Sequence, residues 1–201
     1  AMAIATMIAS DPYRKLGAKS LELMRRADEL VALDKAAQVA LSGNARVAHY
    51  CPGCPHSRST KVPKDAEAFL GIGCHYMAKW MPEGRQAVLV TPMGGEGSTA
   101  LSHLMYTTAT HAFQNLGDGT YAHSGSLAIR AAIAWLKRFP GKGLTYMLLV
   151  NDAVAMTGGQ AVEGGFDVPQ IARQLRSEGI EVINVVAEYP KRYGWRADFP
   201  K

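Results

Sequence analysis

Cysteine is scarce in this chain: only three of its 201 residues are cysteines, at positions 51, 54 and 74. A secreted disulfide framework normally uses an even number of cysteines, so that class of protein is not expected. Cys51 and Cys54 form a C-x-x-C pattern, which in a reducing compartment indicates metal binding or redox chemistry. We therefore expect a cytoplasmic protein.

Long apolar runs and basic clusters are also missing. No run approaches the ~20 apolar residues that span a bilayer, and the apolar residues 1–10 lack the basic leader of a secretory signal. The net charge is a mild +5, and the basic residues are scattered in pairs, whereas nucleic-acid binding usually needs a clustered basic footprint. We expect neither a membrane nor a nucleic acid as a partner. The positive surface is still suited to an anionic cofactor or an acidic electron carrier.

The first part of the chain has helical periodicity. Apolar residues recur at three- and four-residue spacing from Pro12 to Leu41, and Gly43-Asn44 is a stop signal. We interpret residues 1–45 as a helical extension and residues 46–201 as one domain. Within that domain, residues 65–81 are predicted to form a short helix on either side of a Gly71-x-Gly73 turn.

The second half alternates between strand and helix patterns. Helices are predicted at Ser124–Arg138 and Pro169–Glu178. The predicted strands are Ala87–Val90, Ala112–Leu116, Thr145–Val150 and Ile180–Ala187. This alternation predicts an α/β fold, with an open parallel sheet and helices on both faces.

Two of the predicted strands end in polar turns. One runs into Gly117-Asp118-Gly119, the other into Asn151-Asp152. Ligands of open parallel sheets bind at the carboxyl ends of strands, so Asp118 and Asn151 are expected at the same edge. Their hard oxygens suit an octahedral Mg²⁺ shared with phosphate oxygens and a backbone carbonyl. The turn that begins at Thr157 could donate hydrogen bonds to the same phosphates.

The G-D-G triplet alone is no more than a plain turn, but its pairing with strand–Asn-Asp about thirty residues later resembles the thiamine-diphosphate motif. The extended string NDAVAMTGGQ, residues 151–160, resembles the form of that motif found in 2-oxoacid:ferredoxin oxidoreductases. Further strings resemble the indolepyruvate:ferredoxin oxidoreductase branch of that family: YCPGCPH (50–56), KVP (61–63), GIGCHYM (71–77), MGGEG (93–97), QNLGDGTY (114–121) and VPQIARQL (168–175). The resemblance covers residues 50 to 190 in register.

The resemblance implies roles for individual residues. Residues 46–201 would be a thiamine-diphosphate-binding domain, truncated at its C-terminus. Asp118, Asn151 and the carbonyl of Ala153 would hold Mg²⁺. The other predicted cofactor-binding residues are Ile72, Gly73, Cys74, His75, Gly117, Gly119, Thr120, Ala155, Met156 and Thr157.

Cys51, Cys54 and Cys74 match three ligands of a [4Fe–4S] cluster in that family. Such a cluster takes four thiolates. The fourth ligand of relatives lies further toward the C-terminus, and this sequence has no other cysteine, so that either the ligand was lost with a truncated tail, or a non-cysteine group replaces it, or no cluster forms. A Cys₃His zinc site that uses His56 or His75 is chemically allowed, and purely structural cysteines are a third interpretation.

The resemblance makes His56 and His75 the candidate catalytic residues, facing the substrate carboxylate or the cofactor. His123 lies beside a matched motif as well and is a third candidate to face the substrate carboxylate or the cofactor. For each histidine, a structural hydrogen bond is the alternative interpretation. Glu96 has the chemistry of an acid or base, but the glutamate that activates the cofactor in this class belongs to a different domain.

The implied activity is oxidative decarboxylation of an aryl 2-oxoacid with coenzyme A, with electrons passed through the cluster to ferredoxin. The implied partners are a companion pyrimidine-binding domain or subunit, ferredoxin, coenzyme A and the 2-oxoacid, in a dimer or larger assembly. Two other hypotheses stay open: a non-redox thiamine-dependent decarboxylase, and a degenerate binding module that keeps the fold without activity.

Overall fold

A computed structural model of the chain describes residues 21–41, 48–81 and 86–193. The chain divides into two compact units, Ala1–Val47 and Ala48–Lys201. The first unit contains helix α1, Leu21–Leu41, on which Arg25 and Arg26 both form ion pairs with Glu29. Helix was therefore predicted correctly for this part, whereas residues 12–20 and the Gly43-Asn44 stop lie outside the described residues.

The described residues of the second unit form four strands and several helices. The strands are β1 (Glu67–Leu70), β2 (Ala87–Val90), β3 (His111–Gly117) and β4 (Gly143–Leu149). The α-helices are α2 (His56–Ser59), α3 (Ser98–Tyr106), α4 (Asp118–Thr120), α5 (Ser126–Leu136) and α6 (Val168–Ser177). 3₁₀-helices cover Cys74–Trp80, Ala155–Thr157 and Pro190–Tyr193, and a π-helical turn covers Tyr121–Gly125.

The strands form one open, wholly parallel sheet in the order β2-β1-β3-β4. Parallel neighbours need crossover connections, and α3 and α5 lie within those that lead from β2 to β3 and from β3 to β4. The predicted α/β fold with an open parallel sheet is confirmed. The strand order reverses between β1 and β3, because the chain goes from β1 to β2 on one side and then returns to β3 on the other.

Two clusters of buried apolar residues pack against one face of the sheet. Phe69 and Ala112 pack against Ala100 and Leu104 of α3. Leu116 packs against Ile129 of α5 and Ile171 of α6, where a second cluster forms. Successive residues of a strand point to opposite faces, so Gly117 faces away from the cluster around Leu116. A Cβ on Gly117 would lie 3.6 Å from His75 Cε1, which puts the 3₁₀-helix Cys74–Trp80 on the opposite face.

Helices follow both β3 and β4, and the local sequence explains where α6 begins. After β3, the chain is helical from Asp118 through the π turn into α5, so helical structure begins six residues before the predicted start at Ser124. Helix α6 begins with a capping box, in which Asp167 accepts from Gln170 N at 2.7 Å and Gln170 Oε1 accepts from Asp167 N at 2.8 Å. Both N–H groups are satisfied in this way.

The predicted helix before the Gly71-x-Gly73 turn is wrong, because residues 67–70 form strand β1. Ala, Glu and Leu favour helices locally, but β1 pairs with both β2 and β3. Ala68, Phe69 and Leu70 are at most 1% exposed there. Burial in the centre of the sheet therefore overrides the local preference. The expected helix after the turn is present as the 3₁₀-helix.

The predicted strand Ile180–Ala187 is also wrong, because the structure assigns no strand to these residues. Val182 is 76% exposed and Val186 is 94% exposed. A β-rich composition makes a strand only where a neighbouring strand accepts its hydrogen bonds, and here β4 is the edge of the described sheet. Only Ile180 packs against the core cluster around Leu116.

Within the described parts of the chain, no helix has both the length and the apolar character that crossing a bilayer requires.

Candidate functional site

Asp118 and Asn151 lie at the same edge of the sheet. The register pairs Gly117 with Leu149, so the residues that follow β3 and β4 emerge side by side. Asp118 Oδ2 accepts hydrogen bonds from the backbone N–H groups of Asn151 and Asp152, both at 2.9 Å. Its Oδ1 accepts from Gly119 N at 2.8 Å. One carboxylate thus joins the first turn after β3 to the turn after β4.

The side-chain oxygens at this edge are of the chemical type that magnesium prefers. A carboxylate and the amide oxygen of Asn151 are hard donors, and Asn151 Oδ1 also accepts from Ala153 N at 3.3 Å. Among residues 21–41, 48–81 and 86–193, no three His, Cys, Asp or Glu side chains are grouped as metal ligands. A cation at this edge would therefore need further oxygens from a bound anion such as a diphosphate.

The predicted diphosphate residues after β4 form an exposed turn. Val154 and Gln160 pair with each other in an isolated antiparallel bridge, and Ala155–Thr157 form a 3₁₀ turn between them. Thr157 Oγ1 accepts from Gln160 Nε2 at 2.6 Å. Gly158 has a φ of 119°, which a side chain would disfavour. Ala155, Met156 and Thr157 are therefore presented to solvent beyond the edge.

A cavity of about 270 Å³ opens beside this edge. Its lining includes Asp118, Tyr121 and Val150, which lie at the strand ends, and Phe166 and Ile171 from further along the chain. The sequence did not mark Phe166 or Ile171 as site residues, because residues so far apart in sequence are brought to one cavity only by the tertiary fold.

The crevice between β1 and β3 is filled by His75. Ligands of open α/β sheets bind at the point where strand order reverses, and here that point lies between Gly71 and Gly117. A Cβ on Gly71 would lie 3.1 Å from His75 Nε2, and one on Gly73 would lie 2.8 Å from His75 Cε1. The glycines therefore make room for the ring, which is only 2% exposed.

Both candidate catalytic histidines are buried. Burial, followed by the neighbouring His56, lowers the pKa of His75 to about 4, so its ring is neutral at physiological pH. Its Nε2 has no hydrogen-bond partner among the described residues. Burial also lowers the pKa of His56, and the nearby charge of Asp118 opposes that shift. The structure thus brings His56, His75 and Asp118 together, but it leaves neither imidazole open to solvent.

The three cysteines are free thiols in the same neighbourhood. Cys51 is exposed, Cys54 and Cys74 are half-buried, and Cys54 N donates to Cys51 O at 3.0 Å. They do not form a metal-ligand set in the part of the chain that the structure describes. As placed in the described residues, the three thiols do not meet around a single metal site.

Cys74 is expected to react more slowly with iodoacetamide than Cys51 in the folded chain. Burial raises the pKa of the Cys74 thiol, and the charges of Cys54, Cys51 and Asp118 raise it further. The reactive species is the thiolate, so labelling of Cys74 near pH 7 should be several-fold slower and should speed up as pH rises through its raised pKa. Peptide mass spectrometry measures both rates. In the denatured chain the two rates should become equal, and equal rates in the folded chain would contradict the burial described here.

Glu96 is a fully buried carboxyl at the same edge. It is 0% exposed, and burial raises its pKa. Hydrogen bonds from the backbone of Glu96 and of Gly94 oppose that rise, and so does the nearby charge of His123. Its Oε2 accepts from Gly94 N at 2.7 Å. Its Oε1 has no partner among residues 48–81 and 86–193, and it would lie 2.8 Å from a Cβ on Gly71.

The carboxyl ends of β1, β3 and β4 therefore gather the predicted Asp118, Asn151, His56, His75 and Cys74. Gly119 and Thr120 lie in α4 directly after Asp118, and Ile72 lies in the turn after β1.

The chain matches no protein-family model, no curated protein and no solved structure.

Proposed function

We propose that this chain is the thiamine-diphosphate-binding part of an indolepyruvate (aryl 2-oxoacid):ferredoxin oxidoreductase. One observation carries the proposal: the two halves of the suspected motif, 33 residues apart in sequence, meet through the Asp118 carboxylate and the Asn151 backbone at 2.9 Å. The meeting point is the carboxyl end of a parallel sheet, where anionic cofactors bind.

The chain's own residues would hold the cofactor. Asp118, Asn151 and the carbonyl of Ala153 would bind Mg²⁺ together with diphosphate oxygens. Gly119 and Thr120 would line the diphosphate on one side, and Ala155, Met156 and Thr157 on the other. Bound thiamine diphosphate supplies a nucleophilic carbon and an electron sink. The chain's own task is to anchor, orient and partly desolvate that group.

The proposed reaction converts an aryl 2-oxoacid and coenzyme A into an acyl-CoA and CO₂, with the released electrons reducing ferredoxin. A companion pyrimidine-binding domain would supply cofactor activation, so the chain alone is expected to turn over little. The three free thiols favour a reducing, cytoplasmic setting. They do not form a ligand set in the described residues, so they would have to be brought together to serve as three ligands of a [4Fe–4S] cluster, whose fourth ligand would come from elsewhere.

A degenerate binding module is the second candidate. Two observations favour it: both candidate catalytic histidines are buried, and the cysteines do not form a ligand set in the described residues. Such a module would hold a diphosphate at the strand ends without any chemistry following.

Reconstituted turnover separates the two candidates. The chain is mixed with a pyrimidine-binding companion domain, thiamine diphosphate, Mg²⁺, iron and sulfide, coenzyme A, ferredoxin and an aryl 2-oxoacid. The enzyme proposal predicts that ferredoxin is reduced only when the 2-oxoacid is present, and not when Cys74→Ser replaces the wild type. Cofactor binding without any ferredoxin reduction would favour the module.

A further inference from the structure

The π-helical turn Tyr121–Gly125 places an exposed histidine close to the carboxyl end of β3. π turns are rare and recur at functional sites, and this one follows directly after Asp118–Thr120. Tyr121 and Gly125 are buried, whereas His123 is exposed. Unlike His56 and His75, this imidazole is accessible to a ligand.

The ring of His123 is oriented by its neighbour. Ser124 Oγ lies 2.6 Å from His123 Nδ1. When the hydroxyl donates to Nδ1, the ring proton sits on Nε2, and the imidazole offers an N–H donor. An acceptor such as a carboxylate oxygen matches that donor.

The glycine turn after β2 holds Ser124 in place. A Cβ on Gly94 would lie 2.7 Å from Ser124 Oγ, so the backbone of Gly94 packs directly on that side chain. Glu96 Oε2 in turn accepts from Gly94 N, and Tyr146 Oη donates to the Glu96 carbonyl at 2.9 Å. A chain of contacts therefore runs from β4 through the buried Glu96 and the glycine turn to Ser124.

We propose that His123 binds the carboxylate of the 2-oxoacid, with Ser124 as the positioning residue that fixes its ring. This inference rests on the proposed function, because it names a substrate contact of the same site. Of the three histidines that the sequence makes candidates to face the carboxylate or the cofactor, His123 is the exposed one. The Nε2–H group of His123 would donate a hydrogen bond to the carboxylate of the 2-oxoacid, beside the strand ends that would hold the cofactor.

The test uses phenylpyruvate as the probe and follows the histidine ring resonances by NMR during titration of the full chain. We expect the His123 signals to shift. His123→Gln should weaken phenylpyruvate binding by about tenfold, the worth of one hydrogen bond to a charged group. Ser124→Ala should weaken it by a few-fold and should also change the ¹⁵N shifts that report the His123 tautomer. His111→Gln is the matched control, an exposed imidazole at the opposite end of β3, and it should bind like the wild type.

Several results would overturn the inference: no phenylpyruvate binding at millimolar probe, equal affinity in His123→Gln, or a His123 shift with inorganic phosphate but not with phenylpyruvate. Mg²⁺-dependent binding of thiamine diphosphate, measured on the same samples, separates this failure from that of the proposed function. If the cofactor binds and the His123 effect is absent, only this inference fails. If the His123 effect is present without cofactor binding, the proposed function fails and the carboxylate site stands.

Discussion

Asp118→Ala is expected to lower the free energy of unfolding by about 2 kcal/mol, because three backbone N–H groups lose one shared charged acceptor. Those donors belong to Gly119, Asn151 and Asp152. The loss should be local, so that hydrogen exchange at residues 151–160 speeds up more than exchange in β3. Urea titration followed by fluorescence gives the free energy, and exchange mass spectrometry gives the location.

Two controls make this prediction sharp. Asp118→Asn keeps the shape and one acceptor oxygen, so it should recover part of the lost stability. Asp65→Ala removes an exposed aspartate before β1 and should change the free energy by less than about 0.5 kcal/mol. If Asp118→Ala were as stable as Asp65→Ala, the carboxylate would not hold the turn after β4.

Gly71→Ala is expected to destabilise the fold by about 2 to 3 kcal/mol through overpacking. The added Cβ would lie 2.8 Å from Glu96 Oε1 and 3.1 Å from His75 Nε2. Glu96 is 0% exposed and His75 is 2% exposed, so neither side chain has open space to move into. Thermal and urea unfolding measure the loss.

Gly117→Ala is the matched control, because its Cβ would meet the same His75 ring at the ordinary contact distance of 3.6 Å. It should be nearly neutral. A double variant, Gly71→Ala with Glu96→Ala, tests the cause: removing the carboxyl should make the glycine substitution less harmful, which a double-mutant cycle detects as coupling. Additive effects would mean that Glu96 does not crowd Gly71.

The sheet could be predicted where local pattern and tertiary environment agree. Strands β2, β3 and β4 were predicted from short strand-like segments that end in turn residues, and the structure assigns them within two residues of the predicted ends. Strand β1 could not be predicted, because its four residues favour a helix until two neighbouring strands pair with them. The prediction of a strand at residues 180–187 is wrong for the opposite reason, since their β-branched residues have no neighbouring strand to pair with.

The candidate site divides in the same way. The meeting of Asp118 with Asn151 followed from the rule that parallel strands end at one edge. The burial of His75 did not follow, because it depends on Gly71 and Gly73 of one turn and on Gly117 at the end of β3, which close around one ring. His123 is exposed on a π turn, and no local sequence pattern predicts such a turn.

The most direct test of the account is a calorimetric titration of thiamine diphosphate into the chain, with and without Mg²⁺, alone and with the companion domain. We expect binding that requires Mg²⁺ and is lost in Asp118→Asn, because the Asp118 carboxylate is the one charged group among the proposed ligands of the ion. Binding that ignores both Mg²⁺ and the substitution would contradict the account. So would the absence of binding at millimolar cofactor with the companion domain present.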